Sequence, residues 1–197
     1  MTLRLVVTGG ECTGKTTLAA ALAARLDAPW LPEAARAYAE DAARQGRTLS
    51  LATVEPIAMR HIAAEEALLR PAAASGGGNR GATPHGAPAL VVYDTDLLST
   101  VAYSRHYYGT SSAWLEAEAR ARRADLYLLC APDIPWTADG VRDRPEDREA
   151  MFAHFGAVLR EFGAAVTVVR GTGEARVAAA LAAVHAQVAL PAGGPPR

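Results

Sequence analysis

With 197 residues and a 50% hydrophobic composition, the chain can bury one sizeable core and is too short for two ordinary domains joined by linkers. A formal net charge of −1 and a pI near 6.5 exclude the broad basic face that nucleic acid or an acidic membrane selects. The expected partner is a small molecule, with oligomeric state left open.

The first predicted element is a strand over 3–8, the apolar run Leu3-Arg4-Leu5-Val6-Val7-Thr8. It leads into Gly9-Gly10-Glu11-Cys12-Thr13-Gly14-Lys15-Thr16, a complete GxxxxGK[ST] phosphate-binding loop, and a helix is predicted over 17–26. Lys15 is the only lysine among 20 basic side chains, retained where a compact ammonium must fit between phosphates. In such a loop the glycines let backbone N–H groups turn inward, and the helix aims its positive end at the phosphates. Lys15 then bridges β- and γ-phosphate oxygens, Thr16 offers its hydroxyl to Mg²⁺, and Thr17 reaches the α-phosphate. Cys12 reads either as a thiol activated by the helix start or as a small filler. The chain is expected to bind a nucleoside triphosphate.

A short strand follows over 29–31, then a helix over 33–44 and another over 54–70 behind a Thr53 N-cap. The Ala-, Gly- and Pro-rich stretch 71–88 reads as a flexible surface insertion. A strand over 90–93 precedes helices over 97–107 and, after Ser112, 113–123. Beyond these come a strand over 126–130, a helix over 146–162, a strand over 166–169 and a helix over 174–188. The last of these is expected to bury Val177, Leu181, Val184 and Val188, and the tail 191–197 to be disordered. Apolar strands alternating with helices imply a three-layer α/β P-loop NTPase fold: a five-stranded, mainly parallel sheet, helices on both faces, and a lid loop. One domain over 1–190 is expected. Two cysteines in a strand and a loop, no signal-like leader and no membrane-length apolar run point to the cytoplasm.

Ligands collect at the carboxyl ends of strands in such sheets, which singles out Glu33, Asp94 and Asp96. A Mg-nucleotide enzyme needs an acid near the metal, here Asp94 with Thr16. Transfer to an alcohol needs another near the acceptor, here Glu33 or Asp96. Asp94 or Thr95 is alternatively the N-cap of the next helix. After the fourth strand, Arg142, Arg144 and Arg148 fall within seven residues of a Gly- and Pro-containing loop. They read as a lid closing guanidinium groups on the transferring phosphate, or else as a self-neutralised surface loop. Gly171 and Thr172, in a GxG turn before the final helix, are candidates for approach to the nucleotide base.

Absences narrow the class. A GTPase that reads guanine with Asn-Lys-x-Asp needs a second lysine. A mechanical AAA-type ATPase needs a strand ending in Asp-Glu and a helical lid domain, whereas this strand ends Tyr93-Asp94-Thr95-Asp96 in a short chain. A small-molecule kinase stands in front, ahead of a nucleotide-binding regulatory ATPase.

The phosphate loop in the form Gly-Gly-Glu-x-x-Gly-Lys-Thr, Glu33-Ala34-Ala35-Arg36-Ala37-Tyr38, Asp94-Thr95-Asp96, Asp125-Leu126-Tyr127-Leu128-Leu129 and Pro135-Trp136-Thr137-Ala138-Asp139-Gly140-Val141-Arg142 together resemble the ribosylnicotinamide kinase domain of bacterial NadR-type proteins. The resemblance runs over about 3–188 apart from 71–88. It implies transfer of the γ-phosphate of ATP, with Mg²⁺, to the 5′-hydroxyl of nicotinamide riboside, on a nucleoside-kinase-like fold. Since that riboside carries a fixed positive charge, its pocket should offer aromatic faces and carboxylates. Trp136, Tyr38, Tyr103 and Tyr107 are the candidate faces, Asp139 the candidate counter-charge, and Arg36 belongs to the matching segment. No His-x-Gly-His signature occurs among the five histidines, so the adenylyl transfer of full-length NadR proteins is not carried over.

Overall fold

The computed structural model describes residues 2–70, 88–135 and 147–189. The expected insertion, save Pro88, and the expected tail lie outside the described residues.

The strands are β1 (Leu3–Thr8), β2 (Trp30–Leu31), β3 (Leu90–Asp94), β4 (Leu126–Cys130) and β5 (Val166–Val169). The helices are α1 (Lys15–Arg25), α2 (Ala34–Arg44), α3 (Leu51–Leu69), α4 (Leu97–Tyr108), α5 (Ala113–Ala121), α6 (Arg148–Glu161) and α7 (Gly173–Ala189). All the strands run parallel, in the order β2-β3-β1-β4-β5. β1 is therefore central. The chain passes from β1 outward to β2 and β3 on one side and crosses to β4 and β5 on the other, so the mouth of β1 is the switch point where such sheets bind ligands.

Period-two alternation along the central strands divides the core between two layers. Leu5, Val7, Leu126 and Leu128 face one side, where α1 and α7 contribute Leu18, Leu22, Val177 and Val184. Val6, Tyr93, Tyr127 and Leu129 face the other, packed by α3, α4, α5 and α6 through Val54, Val101, Leu115 and Phe155. Both faces are covered, as the apolar runs predict.

Two helix details differ from expectation. α3 starts three residues early because Ser50, not Thr53, is its N-cap; Thr53 is the third helical residue and closes a reciprocal capping box with Ser50. On α7 the buried stripe is Val177, Ala180 and Val184, with Leu181 partly buried against it, while Val188 is 61% exposed. No helix among the described residues is long and apolar enough to cross a membrane, and neither Cys12 nor Cys130 forms a disulfide.

Candidate active site

The phosphate loop leaves β1 at Thr8, whose buried hydroxyl is hydrogen-bonded to Ser99 Oγ at 2.8 Å. Gly9 takes φ 136°, and a Cβ there would lie 2.9 Å from the Cys130 carbonyl, so backbone conformation and close approach to β4 both demand glycine. Gly14, at φ 73°, caps α1. Between them Thr13 Oγ1 donates to the Gly10 carbonyl at 2.9 Å. Lys15 is only 5% exposed and folds back across the loop. Its Nζ donates to the Gly10 carbonyl at 2.7 Å and lies 3.4 Å from the Tyr103 hydroxyl, which itself donates to the Gly9 carbonyl at 3.1 Å. Thr16 and Thr17 are exposed at the mouth of α1.

The β1–β3 register sets Val7 beside Asp94, which delivers that carboxylate to the foot of the loop. Asp94 is 1% exposed, accepts a hydrogen bond from the Thr16 side chain, and has an Oδ1 that is buried without a hydrogen-bond partner. Burial pushes its pKa up; the Thr16 bond pulls the other way and the Glu33 carboxylate adds to the rise. Glu33, at the N-cap of α2, likewise has a buried Oε2 without a partner, Arg36 Nε standing 3.9 Å away. The orphaned Asp94 oxygen and the Thr16 hydroxyl beside a phosphate loop are hard donors of the kind Mg²⁺ takes, so these residues fit the ion. Among the described residues no three His, Cys, Asp or Glu side chains converge as a protein-only cage. A metal here would thus depend on phosphate oxygens as well.

Thr95 sits at φ 67°, a strained conformation for a β-branched residue, and this twist sends Asp94 and Asp96 in different directions. Asp96, rather than Asp94 or Thr95, is the N-cap of α4. Its Oδ1 accepts from Ser99 N at 3.0 Å and its Oδ2 from the Tyr127 hydroxyl at 2.7 Å. Burial raises its pKa, with the Tyr127 and Ser99 bonds opposing. Of the two carboxylates expected near the acceptor, Glu33 is therefore the one with a buried oxygen outside any hydrogen bond, Arg36 being its ion-pair neighbour.

Beside the loop, α2, α3 and α4 enclose a cleft of about 600 Å³ lined by Glu11, Glu33, Arg36, Glu40, Asp96, Tyr103 and Tyr107, among others. Tyr103 and Tyr107, four residues apart on α4, stack with ring centroids 6.2 Å apart and planes within 7°. The Tyr107 hydroxyl donates to Glu11 Oε1 at 2.8 Å, joining this aromatic wall to the phosphate loop. Tyr38 does not line the cleft. It points off the adjacent helical face, with the Arg60 guanidinium 5.3 Å from its ring centroid, while Ala35 and Ala39 face inward.

His61 was not singled out from sequence. It lies 4% exposed at the inner end of the cleft, tilted against Tyr93 with centroids 6.0 Å apart, and burial lowers its pKa against the pull of Asp96 and Glu65. The signal was available: Val54, Ile57, Ala58, His61 and Glu65 mark one helical stripe. Asp133 and Arg176 were also missed. Arg176 Nη1 donates to the Gly171 carbonyl at 2.7 Å and its Nη2 to the Thr13 carbonyl at 2.9 Å, so one side chain reaches both the GxG turn and the phosphate loop, and the Gly171 amide donates to Asp133 Oδ2 at 2.7 Å. Arg148, the first residue of α6, contacts the loop's Cys12 carbonyl. Trp136, Asp139, Arg142 and Arg144 lie outside the described residues.

Among solved structures, the chain is similar to a NadR protein in complex with NR, at 22% identity and a TM-score of 0.73 over 99% of this chain and 53% of that one. A NadR protein in complex with NAD and AMP-PNP matches at 22% identity and TM-score 0.67, over 98% of this chain and 52% of that one. Deoxyadenosine kinase from M. mycoides with bound dCTP matches at 8% identity and TM-score 0.55, over 93% of this chain and all of that one. The chain thus spans about half the length of the NadR structures. No curated protein matches it. At these identities the likeness is one of fold, a parallel sheet with helices on both faces and a phosphate loop after its central strand. The strand end Tyr93-Asp94-Thr95-Asp96 and the short chain argue against an AAA-type ATPase, but at the level of family that elimination does not hold, because the matching family model is an AAA domain. With its family model matched over residues 4–176, the chain belongs to the AAA domain family.

Proposed function

We propose that this protein is an ATP-dependent small-molecule kinase that transfers the γ-phosphate of ATP to the 5′-hydroxyl of nicotinamide riboside, giving nicotinamide mononucleotide. The observation that carries the reading is the composition of the cleft beside the phosphate loop. Glu11, Glu33, Glu40 and Asp96 outnumber Arg36 among its charged residues, and Tyr103 and Tyr107 form an aromatic wall. An acidic, aromatic cleft suits a cationic pyridinium nucleoside and repels an acceptor that already bears phosphate.

In this mechanism the triphosphate lies on the amides of Gly9 to Thr17, and Lys15 leaves the Gly10 carbonyl to neutralise the γ-phosphate. Thr16 and Asp94 would hold Mg²⁺, which supplies charge neutralisation on the phosphate oxygens when bound. Glu33 accepts the proton of the acceptor hydroxyl, and Arg142 and Arg144 close over the group in transit. Gly171 and Thr172 flank the base.

A second reading, another nucleoside as acceptor, is favoured by the match that spans the whole of a deoxyadenosine kinase but half of NadR. A panel of nucleosides with radiolabelled ATP separates the two: nicotinamide riboside should give the highest kcat/KM, and Glu33→Gln should abolish most of that turnover. A tenfold preference for a neutral nucleoside would displace the riboside and leave the kinase. Tight ATP binding without product from any acceptor would point to a regulatory module instead.

A further inference from the structure

The carbonyls on the outer side of the phosphate loop have partners that the reaction does not explain. Backbone amides that turn inward toward phosphate force neighbouring carbonyls outward, where they need donors. Arg176 Nη2 donates to the Thr13 carbonyl at 2.9 Å and to the Ala131 carbonyl at 3.3 Å. Arg148 Nη2 donates to the Cys12 carbonyl at 3.2 Å and to the Ile134 carbonyl at 2.7 Å. Two arginines from different helices thus each join one of two consecutive loop carbonyls to the segment that follows β4. Cys12 lies between them at φ 50°, a left-handed conformation disfavoured for a residue with a Cβ and kept only when its surroundings impose it.

Arg176 reaches further. Its Nη1 donates to Asp133 Oδ1 at 2.8 Å and to the Gly171 carbonyl at 2.7 Å, and Asp133 Oδ2 accepts from the Gly171 amide. One side chain, 3% exposed, therefore touches both the phosphate loop and the turn assigned to the nucleotide base. Simple stability does not account for this. A buried guanidinium carries a desolvation cost that apolar residues of similar volume avoid, and both arginines have a buried Nε without a partner. Polar arrangements that stabilise imperfectly in this way belong to sites where position matters more than stability.

We propose that Arg148 and Arg176 are positioning residues: two guanidinium straps that hold the phosphate loop open from behind, so that its amides are aimed at a triphosphate before one arrives. Neither needs to touch a phosphate. This assigns Arg148 to the loop's back rather than to the lid, and adds Arg176 and Asp133 to the nucleotide site. It rests on the reading of this loop as a triphosphate site.

The test is calorimetric binding of MgATP and of inorganic tripolyphosphate to the full chain and to Arg148→Met and Arg176→Met, with Arg148→Lys and Arg176→Lys serving where a methionine variant does not fold. Each variant should lose about tenfold or more in affinity for both probes, since the defect lies in the loop and not in base contacts. The KM for ATP should rise likewise while the KM for the acceptor stays within about twofold, a split that general loosening of the fold does not produce. Variants that bind both probes as the unaltered chain does, or that lose ATP and acceptor affinity equally, overturn the straps alone. An unaltered chain with no affinity for either probe overturns them together with the triphosphate reading.

Discussion

Replacing Asp94 by asparagine should make the ligand-free protein more stable and the nucleotide-bound protein less so. Asp94 is buried, one of its oxygens lacks any partner, and the nearby Glu33 carboxylate repels it. An unsatisfied buried polar atom costs about 1–3 kcal/mol, and more when charged. Asparagine keeps an oxygen for the Thr16 side chain while removing the charge that burial opposes, so a gain of about 1 kcal/mol or more is expected. For a domain of this length each kcal/mol moves Tm by roughly 2–4 °C. With MgATP at about 100 times its Kd the unaltered protein should gain about 2.7 kcal/mol, or roughly 5–10 °C. The variant should lose most of that shift. Thermal unfolding at neutral pH, followed by circular dichroism with EDTA, with ATP plus EDTA and with ATP plus Mg²⁺, reads both halves. A variant that melts below the unaltered protein without ligand, or keeps the Mg²⁺-dependent shift, would refute the placement of Asp94 at the metal.

Lys15→Ala should depress turnover on the order of 10²-fold or more, since phosphoryl transfer relies on positioned charge, and steady-state kinetics with unchanged kcat/KM for ATP would remove Lys15 from the reaction. Gly9→Ala combines a left-handed-side φ with a Cβ 2.9 Å from the Cys130 backbone carbonyl, which cannot yield as a flexible side chain can. It should cost roughly 2–4 kcal/mol by denaturant unfolding, whereas Gly10→Ala meets only the Met151 side chain and should cost less. Arg105 bridges Glu116 and Glu161, whose pKa values are lowered, at Glu116 by the Ser111 hydroxyl and then Arg105, and at Glu161 by Arg105 first. Because the folded pKa values lie below the usual 4.5, this stabilisation is present above that value and lost as pH falls through the lowered ones. Arg105→Met should therefore cost about 1 kcal/mol or less near neutrality, the carboxylates being partly solvated, and nothing in strong acid. A Tm difference independent of pH would contradict the assignment.

The phosphate loop was legible because its residues are contiguous. Gly9 to Thr16 lie in one run, and the strands at 3–8, 126–130 and 166–169 match the observed ones because breakers bound each apolar stretch. Where neighbouring polar residues compete for a cap, the sequence offers no arbiter. Ser50 and Thr53, or Asp94, Thr95 and Asp96, differ only in which one the tertiary structure leaves in extended backbone at the helix start. Arg176 and Asp133 were out of reach for another reason. Arg176 meets the loop, and Asp133 meets Arg176, only because β4 lies beside β1 and β5 beside β4, a strand order that no local pattern encodes.

The cleft beside the phosphate loop depends on helix phase, and there a small error in angle decides which side chains line it. Tyr38 and Tyr103 carry the same aromatic chemistry, yet one packs under Arg60 and the other touches the Gly9 carbonyl. α2, which brings Glu33 and Arg36 to the cleft, buries only Ala42 among its residues and is tied to α3 by the exposed Arg60–Asp41 ion pair. Such a helix draws little of its placement from hydrophobic burial, so its sequence is freer to vary than that of β1 or α1. The phosphate loop cannot change without losing its amide cradle. The wall opposite it can, which is why the sequence marks the phosphate loop by motif and the cleft beside it only by charge and aromatic character.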